Sequence, residues 1–389
     1  MKRPLLAAAT LALLALAGPA AARAKPPAWT PARIDAEAAA AMSATKAKGL
    51  AIAVVEDGRV AFVRSYGVRN AAGDPLTTDT VMYGASLTKA AFAYMVQQLV
   101  DEGRLDLDAS ISTYLDKPLP EYPDESRYGP WSHLAGDERW RKLTPRILLT
   151  HSSGFANYHW DEADEKLRIN FEPGSRYAYS GEALILLQFV LERGLGLDVG
   201  AEMQRRVFDR FGMKTTSMIW RPDFAANLAD GWDASGKIEP HDERSKVRAA
   251  GSMDTTISDM ARLAAGYVRG EGLSRRGRRA LTAAHLPINT ATQFPSMQPE
   301  LPAAQRRADL ASGLGVIVFK GPQGPGFFKG GHNDTTGNTW VCVERGRRCV
   351  VILANDVRAE AAFPRLVRVI LGETGTPWAW EYGAREMLP

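Results

Sequence analysis

Ser86 and Lys89 have residue types and a spacing that suit nucleophilic catalysis. Acyl transfer needs a nucleophile, a base within hydrogen-bond reach of it, and donors that stabilise the oxyanion. At the start of a helix, residues three apart lie on one face, so the lysine amine can approach the serine hydroxyl. Such a lysine must be deprotonated to act, and burial together with a neighbouring cation would favour that state.

A second Ser-x-x-Lys match shows that the spacing alone is a weak signal. Ser43 and Lys46 have the same separation, but they lie inside an Ala-rich helix that Thr30-Pro31 is predicted to open. Ser86 instead follows Tyr83-Gly84-Ala85 and begins a helix, where its own backbone N–H can bind an anion. The sequence therefore favours Ser86 as the nucleophile over Ser43, with a plain helix N-cap as the simpler alternative.

The elements around Ser86 predict a sheet assembled from both ends of the chain. A first helix should run to about Lys48 and stop at Gly49, a hairpin should turn at Asp57-Gly58, and the Ser86 helix should end at Gly103. Residues 105–250 or thereabouts read as a mainly helical subdomain. The C-terminal part predicts a meander of four short strands, Gly313–Phe319, Gly326–Lys329, Trp340–Val343 and Cys349–Leu353. It also predicts a last helix, Ala359–Leu371, interrupted by Pro364. The expected fold class is an α/β sandwich, with an antiparallel sheet flanked by N- and C-terminal helices.

Four segments in a fixed order carry a family resemblance. They are Met82–Lys89 around the candidate nucleophile, Leu148–Phe155 (Leu-Leu-Thr-His-Ser-Ser-Gly-Phe), Tyr179-Ser180-Gly181 after Pro173-Gly174, and Ala249–Thr256 before a predicted helix. Together they resemble the serine β-lactamase, penicillin-binding protein and related esterase family, in its class C branch, over nearly all of the mature chain. His151, in the second segment, is expected to be a structural hydrogen-bonding residue.

The resemblance implies a role for Tyr179 across the cleft from Ser86, where its phenol would share proton transfer with Lys89. A phenol titrates near pH 10, so cationic lysine neighbours would be needed to make it a base. The alternative is an ordinary aromatic core residue. The family's Asn in this motif is Gly181 here, which leaves the orientation of a substrate amide, and efficient β-lactam turnover, open.

The third motif of the family, usually Lys-Thr-Gly or His-x-Gly, best matches Lys329-Gly330-Gly331. Its lysine is expected to steer an acidic substrate group, and the small residues let a substrate backbone approach closely. The N–H of His332 is then expected to join that of Ser86 as the oxyanion hole. An alternative register places the motif at His332-Asn333-Asp334.

The N-terminus has the pattern of a secretory signal peptide. Lys2 and Arg3 precede an apolar run, Leu5–Ala17, and small residues lead to a cleavage site after Ala24. A membrane anchor is the alternative, although the run is shorter than the roughly 20 residues of a spanning helix. The prediction is a signal peptide at 1–24, a single catalytic domain at 25–389, and a periplasmic or secreted protein without a membrane anchor.

Charge and cysteine content exclude several other classes of protein. Cleavage would lower the formal charge from +4 to +1, because three basic residues and no acidic one lie before the site, so no nucleic-acid partner is expected. The six histidines show no metal-ligand spacing, so neither a metal nor another cofactor is expected. Cys342 and Cys349 should face each other across a hairpin with a two-residue turn at Arg345-Gly346, either bridged or as free thiols.

These observations predict an exported serine hydrolase that acts through an acyl-enzyme. Its substrate would be a small molecule or peptide: a β-lactam, a D-amino-acid peptide or an ester. The alternative is a non-hydrolytic module that binds penicillin or cell-wall peptide as a sensor. The oligomeric state does not follow from the sequence.

Overall fold

An antiparallel sheet of eight strands is formed by both ends of the chain in the computed structural model, which describes residues 29–383 and 386–388. The predicted signal peptide, 1–24, lies outside the described residues. Within the described residues the strands are β1 Gly49–Glu56, β2 Arg59–Gly67, β3 Met82–Tyr83, β4 Gly231–Trp232, β5 Ile238–Glu239, β6 Asp254–Thr255, β7 Leu286–Pro287, β8 Leu310–Ser312, β9 Ile317–Gly321, β10 Gly324–His332, β11 Gly337–Val343 and β12 Arg348–Ala354. The large sheet has the order β2-β1-β12-β11-β10-β9-β8-β7, while β3 pairs with β6 and β4 with β5.

Helices cover both faces of this sheet, and the alternation of side chains along β1 shows why. Ala51 and Ala53 belong to one apolar core, and Leu50 and Ile52 belong to the core on the other face. The helices are α1 Pro31–Thr45, α2 Leu87–Asp101, α3 Pro145–Leu149, α4 Gly181–Gly194, α5 Val199–Met203, α6 Ile257–Arg269, α7 Arg275–Leu281, α8 Phe363–Leu371 and α9 Trp378–Tyr382. Helices α1 and α8 pack on one face, and α2 and α6 on the other. The predicted α/β sandwich is confirmed.

The predicted start of α1 and the predicted turn between β1 and β2 are both confirmed. The side chain of Thr30 caps α1 by accepting a hydrogen bond from the N–H of Arg33. The turn between β1 and β2 has Asp57 and Gly58 at φ values of 50° and 73°, and Glu56 pairs with Arg59 across it. This is the two-residue hairpin that an Asp-Gly pair predicts.

Other boundaries differ from the prediction. Helix α1 ends at Thr45, before the predicted Lys48, because Lys46 adopts a left-handed conformation, so Gly49 begins β1 and does not stop the helix. The stretch Gly313–Phe319 is not one strand, since β8 ends at Ser312 and β9 starts after a turn.

The predicted helix Ala359–Leu371 is divided near Pro364 into a 3-10 turn and an α-helix. Pro364 lies in the first turn of α8, where its missing N–H costs no hydrogen bond, and a 3-10 turn, Val357–Ala362, precedes it. Helix α9 was not predicted.

The segment from about residue 105 to 250 contains α3, α4 and α5 joined by 3-10 turns and loops. Its aromatic side chains pack around Phe189, whose ring contacts those of Tyr122, Tyr128 and Trp131 edge to face. These residues belong to the same core as α2 and α6. The domain limits themselves stay a prediction. In the part of the chain that the structure describes, no helix has the length and apolar character needed to cross a membrane.

The hairpin that carries Cys342 and Cys349 has a longer turn than the sequence predicted. Strands β11 and β12 pair Cys342 with Cys349, and the two sulfurs form a disulfide. Val343 pairs with Arg348, so the loop has four residues, 344–347, rather than the expected two. The Cα atoms of the cysteines are 4.1 Å apart, the close spacing of a non-hydrogen-bonded pair, which a disulfide can bridge.

Candidate active site

Ser86 lies at the junction between β3 and α2, at the N-cap position of the helix. Among the described residues its hydroxyl makes no capping hydrogen bond, in contrast to Thr30 and Thr256, which cap α1 and α6. The preceding residue, Ala85, has a φ of 46°, a strained conformation for a residue with a side chain. The strained turn leaves the Ser86 hydroxyl available to face a cavity rather than its own helix.

Lys89 contacts the Ser86 hydroxyl as the spacing predicts. Its Nζ lies 3.0 Å from Ser86 Oγ and also donates to the carbonyl of Ala250. The side chain is buried, and burial, helped by the charge of Lys329, lowers the pKa of Lys89 well below its ordinary value. Lys89 is therefore the group in this site whose pKa shift suits it to accept a proton.

Tyr179 reaches Ser86 from the other side of the cleft. Its hydroxyl donates to Ser86 Oγ at 2.9 Å, and the amines of Lys89 and Lys329 lie 5.0 Å and 5.1 Å from the centre of its ring. Burial raises the pKa of Tyr179 well above its ordinary value, even though the hydrogen bond to Ser86 lowers it. This direction disfavours the phenolate and so gives no support to a role as a base, and that role stays a prediction; in the contact with Ser86 the hydroxyl is the hydrogen-bond donor.

His151 positions the Tyr179 segment, in line with its expected structural role. Its ring stacks on that of Tyr179 with centroids 4.5 Å apart, and its Nδ1 accepts a hydrogen bond from the N–H of Ser180 at 3.1 Å. Burial lowers the pKa of His151 well below its usual value, so the ring is neutral. Its contacts fix the position of the Tyr179 ring.

Gly181 lies where any side chain would clash with Tyr158. A Cβ atom at position 181 would lie 2.7 Å from ring carbons of Tyr158 and 2.9 Å from its hydroxyl oxygen. Tyr158 lines the cavity, whereas Gly181 does not. No spacing in the sequence pointed to Tyr158, because the contact depends on the loop before α4 folding back over the start of that helix.

Lys329, Gly330 and Gly331 lie near the end of β10. Strand β9 pairs with β10 only as far as Phe328, so the edge of β10 beyond it faces the cavity. Lys329 Nζ lies 3.5 Å from the Tyr179 hydroxyl, and burial lowers the pKa of Lys329 to about 8.

Gly331 brings this strand against the start of α2. A Cβ atom there would lie 3.0 Å from the backbone nitrogens of Ser86 and Leu87. The next residue, His332, lines the same cavity, and its Nδ1 contacts a carboxylate oxygen of Glu360 at 3.1 Å. The N–H groups of Ser86 and His332 thus belong to two segments in close contact, as an oxyanion hole requires.

Glu381 is a second residue that the sequence did not reveal. It is carried by α9, is buried, and lines the cavity beside Lys329 and Gly330. Burial raises the pKa of Glu381, and the charge of Lys329 lowers it. The carboxylate-bearing helix α9 could not be foreseen from a short C-terminal segment with no clear periodicity.

The cavity that these residues share has a volume of about 680 Å³. It contains all of the sequence-predicted catalytic and oxyanion residues except Gly181: Ser86, Lys89, Tyr179, Lys329, Gly330, Gly331 and His332. On the opposite rim the loop 242–248 adds charged side chains, among them Arg244, whose guanidinium carbon lies 3.5 Å from the centre of the Tyr83 ring. A serine hydroxyl, a buried amine and a phenol thus converge in a cavity whose volume is in the range of small-molecule sites.

Known proteins match this chain at the level of family and fold. A family model described as Beta-lactamase matches residues 34–372. Esterase EstB of Burkholderia gladioli is 28% identical over 215 residues, which cover 48% of this chain and 51% of that protein. Penicillin-binding protein 4 of Amycolatopsis lactamdurans is 24% identical over 351 residues, covering 84% and 85%. The chain spans about half the length of EstB.

The fold is shared with solved structures of low identity. The structure of D-alanine carboxypeptidase AmpC from Burkholderia cenocepacia superposes with a TM-score of 0.67 at 21% identity, covering 87% of this chain and 97% of that one. A class C beta-lactamase gives a TM-score of 0.67 at 17% identity, covering 87% and 94%. These likenesses concern the sandwich and its inserted helices.

Proposed function

The chain belongs to the Beta-lactamase family, and on that basis we propose that it is a serine hydrolase that cleaves an ester through an acyl-enzyme on Ser86. The observation that carries the proposal is the pair of contacts at Ser86 Oγ, with Lys89 Nζ at 3.0 Å and the Tyr179 hydroxyl at 2.9 Å. An ester is favoured over a β-lactam or a D-amino-acid peptide because Gly181 offers no side chain to orient a substrate amide. Esterase EstB, among the related proteins, supports the same choice.

The first half of the reaction begins with proton transfer from Ser86 Oγ to the neutral amine of Lys89. The oxygen attacks the ester carbonyl carbon, and the N–H groups of Ser86 and His332 stabilise the negative oxygen of the tetrahedral intermediate. When the intermediate collapses, Tyr179 donates its proton to the departing alkoxide and is reprotonated by the Lys89 ammonium. An alcohol leaves, and the acyl group stays on Ser86.

The second half reverses these roles with water as the nucleophile. Lys89 accepts a proton from water through the hydroxyl of Tyr179, the resulting hydroxide attacks the acyl carbonyl, and Ser86 leaves with the proton returned to its oxygen. Lys329, 3.5 Å from the Tyr179 hydroxyl, stabilises negative charge that develops on the phenol oxygen.

Ser86→Ala is compared with Ser43→Ala, the matched change in the other Ser-x-x-Lys segment. With a chromogenic acetate ester, we expect Ser86→Ala to lose more than about a thousandfold in kcat/KM, while Ser43→Ala keeps the wild-type value. Intact-protein mass spectrometry during turnover should show an acyl adduct in the wild type and the Ser43 variant only. Equal ester hydrolysis by all three proteins would contradict the proposal.

A penicillin probe separates the hydrolase from the binding module. If a fluorescent penicillin labels Ser86 permanently and no ester is turned over, the protein is a non-hydrolytic sensor. Turnover of the ester with a transient adduct supports the hydrolase.

We also propose that the mature chain, 25–389, acts in the periplasm or outside the cell. The disulfide between Cys342 and Cys349 supports an oxidising compartment, since such bonds persist there. N-terminal sequencing of protein recovered from the periplasm and medium of an expressing bacterium tests the proposal. A mature chain beginning at Lys25 is expected, and full-length protein confined to the cytoplasm would contradict it.

A further inference from the structure

A buried carboxyl group, that of Glu381, lines the cavity beside Lys329. The side chain of Lys329 is buried, and Glu381 lies near enough for its charge to raise the pKa of Lys329. The carboxylate of Glu381 packs on the strand residue that follows the lysine: a Cβ atom at Gly330 would lie 2.0 Å from Glu381 Oε1. Burial penalises an isolated charge on either group, so a charge on one favours the opposite charge on the other.

The surroundings of this pair are acidic. Glu381 Oε2 is buried and has no hydrogen-bond donor among the residues that the structure describes. A second buried carboxylate, Glu360, contacts His332 and acts electrostatically on Glu381. The end of β10 therefore has two carboxyl groups beside Lys329 and His332, so a substrate carboxylate steered by Lys329, as the sequence predicts, would also lie near Glu381.

The proposed reaction places the leaving group beside this pair. Tyr179 donates the proton that the departing oxygen takes, and its hydroxyl lies between Ser86 Oγ at 2.9 Å and Lys329 Nζ at 3.5 Å. The alcohol portion of the substrate must pass close to that hydroxyl, and so close to Lys329 and Glu381. A negative charge on the alcohol would lie near Glu381, which lines the cavity beside Lys329, and a negative charge on that carboxylate would repel it.

We propose that Glu381 determines specificity in this site: it admits esters of uncharged alcohols and disfavours leaving groups that carry a carboxylate. This inference rests on the proposed ester hydrolysis. It separates the three substrate classes that the sequence left open, because β-lactams and peptides ending in a free D-amino acid carry a carboxylate on the departing side.

A matched pair of esters tests the proposal: the acetate of 3-hydroxybenzoate, which is anionic, and the acetate of its methyl ester, which is neutral. For each ester, kcat/KM is divided by the rate constant for hydrolysis by hydroxide, so that intrinsic reactivity cancels. The wild type should prefer the neutral ester by about tenfold or more. Glu381→Gln should reduce that preference to about threefold or less, mainly by faster turnover of the anionic ester.

Glu373→Gln is the matched control, because Glu373 is an exposed residue of the same C-terminal segment. It should keep the wild-type preference. A second measurement needs no variant: methyl 3-hydroxybenzoate should inhibit the wild type at about tenfold lower concentration than 3-hydroxybenzoate.

Two results would overturn the inference alone. In the first, the wild type hydrolyses both esters with equal corrected rates through Ser86, and the two alcohols inhibit equally. In the second, folded Glu381→Gln keeps the full preference of the wild type. Failure of the proposed function is distinct, because neither ester would then be hydrolysed faster by the wild type than by Ser86→Ala.

Discussion

Tyr158 occupies the space that a side chain at Gly181 would need, with its hydroxyl oxygen 2.9 Å from the position of a Cβ atom there. The pKa of Tyr158 is raised by burial, so its hydroxyl is protonated at neutral pH and can donate a hydrogen bond. It lines the cavity together with Ser86 and Tyr179. The Tyr158 ring thus fills the space that a longer side chain at position 181 would need.

Gly181→Asn should damage the site rather than restore the family motif. The new side chain meets the Tyr158 ring and must displace it, so we expect kcat/KM for a neutral ester to fall by about a hundredfold and the thermal midpoint to drop. The double variant Gly181→Asn/Tyr158→Ala should recover part of both losses, because the obstructing ring is gone. Equal losses in the single and double variants would show that the two positions do not interact.

The pH dependence of kcat/KM should be bell-shaped, with its alkaline limb near pH 8. Activity rises with pH as Lys89, whose pKa is well below its ordinary value, loses its proton. It falls again as Lys329, with a pKa of about 8, loses the charge that stabilises negative charge on Tyr179. Initial rates on a neutral ester from about pH 5 to 10, at constant ionic strength, measure both limbs.

Lys329→Arg provides the control for the alkaline limb, because a guanidinium keeps its charge over this whole range. The limb near pH 8 should disappear in this variant even if its maximal rate is lower. If the alkaline limb stays near pH 8 in Lys329→Arg, a group other than Lys329 causes it.

Gly331→Ala should lower kcat strongly while the protein remains folded. The added methyl group lies 3.0 Å from the backbone nitrogens of Ser86 and Leu87, so β10 must shift away from the start of α2. Separating the two oxyanion donors is expected to cost about a hundredfold in kcat, with a smaller change in KM. Stopped-flow acylation rates measure the loss of kcat, and circular dichroism checks that the variant is folded. An unchanged acylation rate would exclude the His332 N–H as an oxyanion donor.

Replacing both cysteines of the bridged pair by alanine should reduce stability without changing the chemistry. The bridge closes a short loop, with a sequence separation of seven residues, and loss of its constraint on the unfolded chain is expected to cost about 2–3 kcal/mol. Urea unfolding of Cys342→Ala/Cys349→Ala measures this change, and reduction of the wild type should approach the same value. The variant should retain wild-type kcat/KM, and a large loss of activity would link the hairpin to the site.

Sequence information was sufficient wherever the signal was local. The Thr30 cap, the Asp57-Gly58 turn and the Ser86–Lys89 spacing each lie within a few residues, and the structure has all three. The placement of Tyr179 beside Ser86 followed only from the family resemblance, since their contact joins segments far apart in the chain.

The residues that were missed depend on packing between distant segments. Tyr158 contacts Gly181 because a loop folds over the start of α4, and Glu381 meets Gly330 because α9 lies against the end of β10. No period or spacing encodes either approach. The C-terminal end of α1 and the length of the cysteine loop were missed because Lys46 and Arg347 adopt left-handed conformations that their residue types rarely take.

Strand β1 is made early in synthesis, yet its neighbour in the centre of the sheet is β12, which is made near the end. Until residues 348–354 leave the ribosome, β2 is the only one of its two partner strands with which β1 can pair. The core that contains Ala51 and Ala53 is not yet covered by β12 at that stage. The nascent polypeptide therefore acquires its native topology only after translation is nearly complete, and folding must close a loop that spans most of the chain. The pair of β1 and β12 is thus the last strand pair of the sheet that the growing chain can complete.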